Sequence, residues 1–214
     1  MTTSRSMGDL FGGATSGGWL NMRTAHPHDD PAFDIGVIGI GAATPYPLGA
    51  YCMDAPDAIR RARSWPGILD HHDFDIHGVT PSAGVLPPGV TAADFGNLDV
   101  RDSAAAKDTA YNRELITTTI RAMRAKGTIP IIFGGDDSIP VPVLAGYDEP
   151  LSILQIDAHI DWRDNVGGES LGLSSNMRRA SEMEHIGKIV QLGARGIGSA
   201  RADDLHDALA YGTS

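Results

Sequence analysis

Residues 151–161 read Leu-Ser-Ile-Leu-Gln-Ile-Asp-Ala-His-Ile-Asp, an apolar run followed directly by two carboxylates and an imidazole. The apolar run predicts a buried strand over residues 151–156. In open α/β sheets, ligands bind at the carboxyl ends of the strands. If the chain stays extended beyond the strand, alternate side chains share one side, so Asp157, His159 and Asp161 can project together. Such a ligand set suits a divalent cation such as Mn²⁺, Ni²⁺ or Zn²⁺, and the alternative is a solvated acidic loop.

Residues 129–138 carry a related arrangement after another apolar run and read Ile-Pro-Ile-Ile-Phe-Gly-Gly-Asp-Asp-Ser. The two glycines allow the backbone to turn sharply at the end of a strand. Asp136 and Asp137 then stand together at the sheet edge, where two neighbouring negative charges require a cation or strong hydrogen-bond donors. Either aspartate can instead cap the following helix. Our interpretation is that one aspartate caps the helix and the other binds metal.

Strand and helix patterns alternate along the rest of the chain. Further apolar runs predict strands over residues 34–40, 128–133 and 188–192, with short strands near Phe74 and at Asp94–Phe95. Apolar spacing, caps and terminating glycines predict helices starting near Asp54 and spanning residues 103–126, 139–146 and 174–185. This alternation predicts an α/β protein, a three-layer α/β/α fold with a mainly parallel sheet.

The length of 214 residues is sufficient for one domain with a substantial core. Residues 1–32 are rich in Gly, Ser, Thr, His and Pro, and we interpret them as an N-terminal arm. The arm either lies on a neighbouring subunit or has no fixed structure. Residues 33–214 are interpreted as one α/β domain.

The composition of the chain bears on its binding partners and on its cellular compartment. The formal net charge of −10 argues against nucleic-acid binding, which needs clustered Lys and Arg, and is compatible with a small cationic ligand. The single cysteine, Cys52, cannot form an internal disulfide, so nothing indicates an oxidising compartment. We find no apolar run long enough to span a membrane and no signal-peptide pattern, and we therefore expect a cytoplasmic protein without membrane association.

The two acidic motifs resemble those of the ureohydrolases, the arginase–agmatinase family. That family carries Gly-Gly-Asp-His-Ser after one strand and Asp-Ala-His-x-Asp after the next. Residues 134–138 and 157–161 are similar to these motifs, in the same order and about 20 residues apart. Residues 55–60, Ala-Pro-Asp-Ala-Ile-Arg, also resemble the family's N-terminal segment. Residues 177–183, Met-Arg-Arg-Ala-Ser-Glu-Met, are more similar to an agmatinase-like or guanidinobutyrase-like branch than to arginase. The similarity extends from roughly Asp34 to Gly198.

The resemblance implies a binuclear metal centre and a hydrolytic activity. It implies two divalent ions, with Mn²⁺ favoured and Ni²⁺ as the alternative, held by Asp137, Asp157, His159 and Asp161. It also implies that Asp161 is a catalytic residue that orients the attacking water. The implied substrate is a linear guanidino or amidine compound, such as agmatine, guanidinobutyrate or another alkylguanidine, which is hydrolysed to urea and an amine. The resemblance also implies an oligomer, either a trimer or a hexamer.

This chain departs from the family pattern in three places. Asp137 replaces the motif histidine, and Ser174 stands where a proton-shuttling histidine is expected. The sequence reaches Ser214 without the family's later Asp-x-Asp pair, so we expect the domain to be incomplete at its C-terminus. These departures favour an alternative: a catalytically impaired subunit that supports an active partner in a hetero-oligomer.

Overall fold

The computed structural model describes residues 18–29, 31–47, 49–62, 86–195, 197–198 and 200–213. The chain divides into two compact units. The first comprises Met1–Gly39, Ala55–Asn97 and Ala122–Phe133, and the second comprises Ile40–Asp54, Leu98–Arg121 and Gly134–Ser214. The strand expected near Phe74 lies outside the described residues.

A four-stranded sheet lies almost entirely in the first unit. Its strands, in the order β1-β3-β2-β4, are β1 (Arg23–Thr24), β2 (Ile35–Ile40), β3 (Ala92–Asn97) and β4 (Ile129–Gly134). β3 pairs in parallel with both β1 and β2, and Ile35 lies opposite Ala92. β2 is buried along nearly its whole length, because its small and β-branched residues pack well on a pleated surface. The strands predicted at residues 34–40, 94–95 and 128–133 are therefore confirmed.

The short strand β1 lies within the predicted N-terminal arm. Arg23 pairs with Ala93, and the backbone N–H of Trp19 donates a hydrogen bond to Asp94 Oδ2 at 2.8 Å. These contacts attach residues 18–24 to β3. Residues 1–17 of the arm lie outside the described residues, and the division into an arm and one domain stays a prediction.

Five α-helices alternate with the strands in the described part of the chain. They are α1 (Ala55–Arg61), α2 (Ala106–Ala125), α3 (Pro140–Leu144), α4 (Asn176–Ser181) and α5 (Ala202–Tyr211). α2 buries Ile116, Ile120 and Met123 completely, the helical spacing expected for one apolar face. Gly127 follows it with φ +77°, the left-handed conformation that ends many helices. No helix among the described residues has both the length and the apolar character needed to cross a bilayer.

α3 and α4 are shorter than the sequence predicts. α3 covers only Pro140–Leu144 of the predicted residues 139–146. α4 ends at Ser181 instead of continuing to residue 185, because the chain turns there and enters the next strand at Ile186.

The second unit contains a two-stranded parallel sheet of β5 (Leu151–Ile156) and β6 (Ile186–Leu192). A core that includes Trp162, Met177 and Ile189 covers one of its faces. Burial alternates along β5, leaving Leu154 61% and Ile156 78% exposed. The prediction of a buried strand is therefore wrong for the face that carries Leu154 and Ile156, because an apolar run indicates a strand but not how many of its faces are covered.

Candidate metal centre

Three carboxylates from two strand ends meet in the second unit. Asp137 lies in the turn after β4, Asp157 directly follows β5, and Asp161 stands four residues further on. One carboxylate oxygen from each lies within 4.8 Å of the other two. Carboxylate oxygens at the carboxyl ends of strands are suitable ligands for a cation such as Mn²⁺.

The turn after β4 separates the roles of its two aspartates. Asp136 Oδ1 accepts hydrogen bonds from the backbone N–H of Ser138, at 3.0 Å, and from its hydroxyl. The Ser138 oxygen in turn accepts a hydrogen bond from the backbone N–H of Thr44 at 2.8 Å. Asp136 therefore stabilises the turn ahead of α3, although Ile139 and not an aspartate occupies the N-cap position. Asp137 is the member of the pair that lies in the carboxylate cluster.

Gly135 places this turn against the loop after β2. Its backbone N–H donates to the Ile40 carbonyl at 2.9 Å, and an added Cβ would collide with the carbonyl oxygen of Gly41. The close approach of two backbones requires glycine here.

We expect Gly135→Ala to lower the free energy of unfolding by about 2 kcal/mol or more, because the clash involves backbone atoms that cannot rotate away. Chemical denaturation measures this loss. Gly134→Ala is the matched control, because its Cβ would lie 3.5 Å from Ile139 Cδ1, an ordinary contact. Equal stability of the two variants would contradict the packing described for Gly135.

Asp161 has a backbone conformation that few side chains adopt. Its φ is +48°, in the left-handed region, which costs a non-glycine residue on the order of 1 kcal/mol. Its neighbours Ile160 and Trp162 are buried, and its carbonyl accepts a hydrogen bond from the Arg178 N–H at 3.3 Å. Gln155 Nε2 donates to Asp161 Oδ2 at 2.7 Å. Strained residues held in this way cluster at functional sites.

His159 lies beside the carboxylate cluster and not within it. The His159 N–H donates to Asp157 Oδ1 at 2.7 Å, so the chain turns immediately after β5. The expectation that the chain stays extended there, with alternate side chains on one side, is wrong for this reason. The imidazole Nδ1 lies 3.3 Å from Asp157 Oδ1, and its side chain is 60% exposed. Metal ligation by His159 stays a prediction.

Burial and electrostatic crowding raise the pKa of two carboxylates of the cluster, which is a charge environment suited to a cation. Burial, followed by the charge of Asp161, raises the pKa of Asp137 to about 7, although a hydrogen bond from Asn176 opposes the shift. Burial also raises the pKa of Asp161 to about 6, with the charge of Asp157 adding to it and the Gln155 hydrogen bond opposing it. Partly buried carboxylates that repel one another are stabilised by a positive ion between them.

Asn176, which no sequence motif singles out, is fully buried next to the cluster. Its Nδ2 donates to the Asp137 carbonyl at 2.8 Å and to Asp137 Oδ2 at 2.6 Å. The only available signal was a polar residue at the start of a helix, which usually indicates a cap. The backbone N–H of Ser174 donates to the Tyr46 hydroxyl at 3.4 Å.

Comparison with known proteins assigns the chain to a family. A model described as the arginase family matches residues 33–212. The chain belongs to the arginase family. The resemblance inferred from residues 134–138 and 157–161 is thereby confirmed.

Relatives of this arginase-family chain include enzymes named for guanidino compounds. Human mitochondrial guanidino acid hydrolase is 30% identical over 146 residues, which is 63% of this chain and 39% of that protein. Guanidinobutyrase of Pseudomonas aeruginosa is 28% identical over 124 residues, covering 52% of this chain and 38% of the relative. The chain thus matches about two fifths of the length of each of these relatives.

Solved structures confirm the predicted α/β fold with its mainly parallel sheet. A hypothetical agmatinase from Burkholderia thailandensis has a TM-score of 0.66 and 22% identity, with 90% of this chain and 57% of that chain covered. Proclavaminate amidino hydrolase from Streptomyces clavuligerus has a TM-score of 0.67 and 21% identity, with 94% and 63% covered.

Proposed function

We propose that this chain is a metal-dependent hydrolase of a small linear guanidino or amidine compound, releasing urea and an amine. The observation that carries the proposal is the convergence of Asp137, Asp157 and Asp161, with carboxylate oxygens within 4.8 Å of one another. Membership of the arginase family and the relatives named guanidinobutyrase and guanidino acid hydrolase support the same activity.

The chain's own residues would bind two divalent ions, most favourably Mn²⁺, with Ni²⁺ as the second choice. Asp137, Asp157 and Asp161 would hold the ions, and His159, beside Asp157, would add a nitrogen ligand. Ions at such a site lower the pKa of a water molecule and stabilise negative charge that develops during the reaction. Asp161, fixed by its hydrogen bond from Gln155, would orient that water as the catalytic residue.

The proposed reaction is the hydrolysis of a C–N bond. The water oxygen joins the guanidino carbon and becomes the urea oxygen, the bond from that carbon to the alkyl nitrogen breaks, and both water protons go to that nitrogen, which leaves as an alkylammonium ion. The net charge of −10 and the acidic cluster favour a cationic guanidinium over an anionic substrate.

The test is urea release from a panel of guanidino compounds by the full chain loaded with MnCl₂. We expect release from at least one of agmatine, 4-guanidinobutyrate and 3-guanidinopropionate, and none after dialysis against EDTA. The absence of urea from every compound, with metal bound, would contradict the enzymatic proposal.

A second candidate function is support of a longer, active family member in a hetero-oligomer. The exposed apolar side chains of Leu154, Ile156 and Leu192 favour it, because Ile156 and Leu192 are paired neighbours and the three form one uncovered patch. Large apolar patches on a protein surface usually mark protein contacts. Co-expression with a full-length relative tests this candidate. Light scattering should then show a trimeric or hexameric complex, and only the complex should release urea. Self-association into an active oligomer would exclude it.

A further inference from the structure

Two glutamine side chains on neighbouring strands lead directly to Asp161. Gln155 on β5 lies opposite Gln191 on β6 in the parallel register. Gln191 Nε2 donates to Gln155 Oε1 and, at 2.8 Å, to the Ile160 carbonyl. Gln155 Nε2 then donates to Asp161 Oδ2 at 2.7 Å. The two amides form a continuous chain that ends on one of the clustered carboxylates.

The direction of this amide chain is fixed by its own chemistry. A glutamine amide has one acceptor oxygen and one donor nitrogen. Because the Gln155 oxygen accepts from Gln191, its nitrogen is the atom that faces Asp161. Gln191 also contacts the Ile160 carbonyl, which belongs to the peptide bond that leads into Asp161. The pair therefore holds both the carboxylate and the peptide bond immediately before it.

Asp161 differs from another buried aspartate, Asp94, in the charge of the side chain that donates to it. Asp94 is 4% exposed and pairs with the Arg60 guanidinium at 2.9 Å, so its charge is compensated within the chain. Asp161 is 6% exposed, and the uncharged amide of Gln155 donates to its carboxylate. A neutral donor orients a carboxylate without cancelling its charge, which remains available to a cation.

We propose that Gln155 and Gln191 are positioning residues for the metal centre, which hold Asp161 in the orientation needed to bind a divalent cation. This inference rests on the proposed function, since it requires that the cluster binds metal. Partners that hydrogen-bond to metal ligands fix ligand orientation, and their loss typically weakens metal affinity about 10- to 100-fold.

The experiment is calorimetric titration of MnCl₂ into EDTA-treated full chain, with thermal melting of the same metal-free samples. The variants are Gln155→Met, Gln191→Met and the double substitution, because methionine retains length and removes the amide. Ser152→Ala, at an exposed position on β5, is the matched control. We expect Gln155→Met to weaken Mn²⁺ affinity at least about 10-fold while its metal-free melting temperature stays close to that of the wild type.

The double substitution tests whether Gln191 acts on Asp161 through Gln155. Its loss of affinity should be smaller than the product of the two single losses, because Gln191 acts on the carboxylate through Gln155. Unchanged affinity in Gln155→Met, with the wild type binding Mn²⁺, would overturn the inference and leave the proposed function standing. Failure of the wild type to bind Mn²⁺ would overturn both. If Gln155→Met does not fold, Gln191→Met decides by the same two criteria.

Discussion

Asp161→Asn should reduce kcat/KM for urea release by about 1000-fold or more. Asp161 is proposed both as a metal ligand and as the residue that orients the attacking water. Charge stabilisation by a bound ion contributes several kcal/mol to such a reaction, and about 4 kcal/mol corresponds to a 1000-fold change in rate. Asparagine keeps the shape of the side chain but removes its negative charge. Urea release by the metal-loaded variant, against guanidino substrate concentration, measures the effect.

Asp148→Asn is the control for this substitution. Asp148 also loses one negative charge, but its side chain is 81% exposed and lies 4.0 Å from Arg121. Its variant should retain wild-type activity. Equal urea release by Asp161→Asn and Asp148→Asn would show that the cluster has no part in the reaction.

The metal-free chain should become less stable as the pH rises from about 4 to about 7. The pKa values of Asp137 and Asp161 are raised in the folded state to about 7 and about 6, from 3.8 in the unfolded chain. Within this range the folded chain therefore binds more protons than the unfolded chain, so a rise in pH favours unfolding. We expect a loss on the order of 2 kcal/mol after allowance for partial exposure, or roughly 4–8 °C in melting temperature between pH 5 and pH 8.

Metal and mutation should each remove this pH dependence. Mn²⁺ at pH 8 binds the ionised cluster and should raise the melting temperature above that of the EDTA-treated sample. Asp137→Asn should flatten the dependence of melting temperature on pH, because the strongest source of repulsion is absent.

Hydrogen bonds and ion pairs lower the pKa of Asp94 and Asp164, so the stability that these two carboxylates contribute is lost below pH 4, outside this window. A melting temperature that rises from pH 5 to pH 8 in EDTA would contradict the crowded cluster.

The replacement of the family's motif histidine by Asp137 bears on the choice of metal. With Asp157 and Asp161 it makes three of the four proposed ligands carboxylates, His159 being the fourth ligand. Carboxylates suit Mn²⁺ better than imidazole-preferring ions such as Ni²⁺. We therefore expect Mn²⁺ to support more activity than Ni²⁺ in the substrate panel.

Local sequence patterns were sufficient to locate the ends of β4 and β5 and the carboxylates that follow them. Parallel strands place their carboxyl ends at one edge, so Asp137, Asp157 and Asp161 could be expected to converge. The direction of His159 could not be predicted, because it depends on a turn closed by the Asp157 side chain. Asp161 likewise adopts a positive φ, which a strand pattern does not indicate.

Local sequence patterns also could not identify the polar side chains that hydrogen-bond to the cluster. Gln155 stands in an apolar strand, and its significance depends on Gln191, a partner 36 residues away in the chain. Asn176 contacts Asp137 from 39 residues away. Contacts of this kind are set by strand register and helix position, which neither residue type nor periodicity specifies.

Metal content per chain is the most direct test of the proposal that the carboxylate cluster binds divalent ions. The measurement is plasma mass spectrometry on full-length chain purified without chelator, alongside the Asp157→Asn variant. The proposed centre of two ions predicts about two equivalents of Mn²⁺ in the wild type and a clear loss in the variant. Wild-type protein without metal, which also takes up none from MnCl₂, would contradict the proposal.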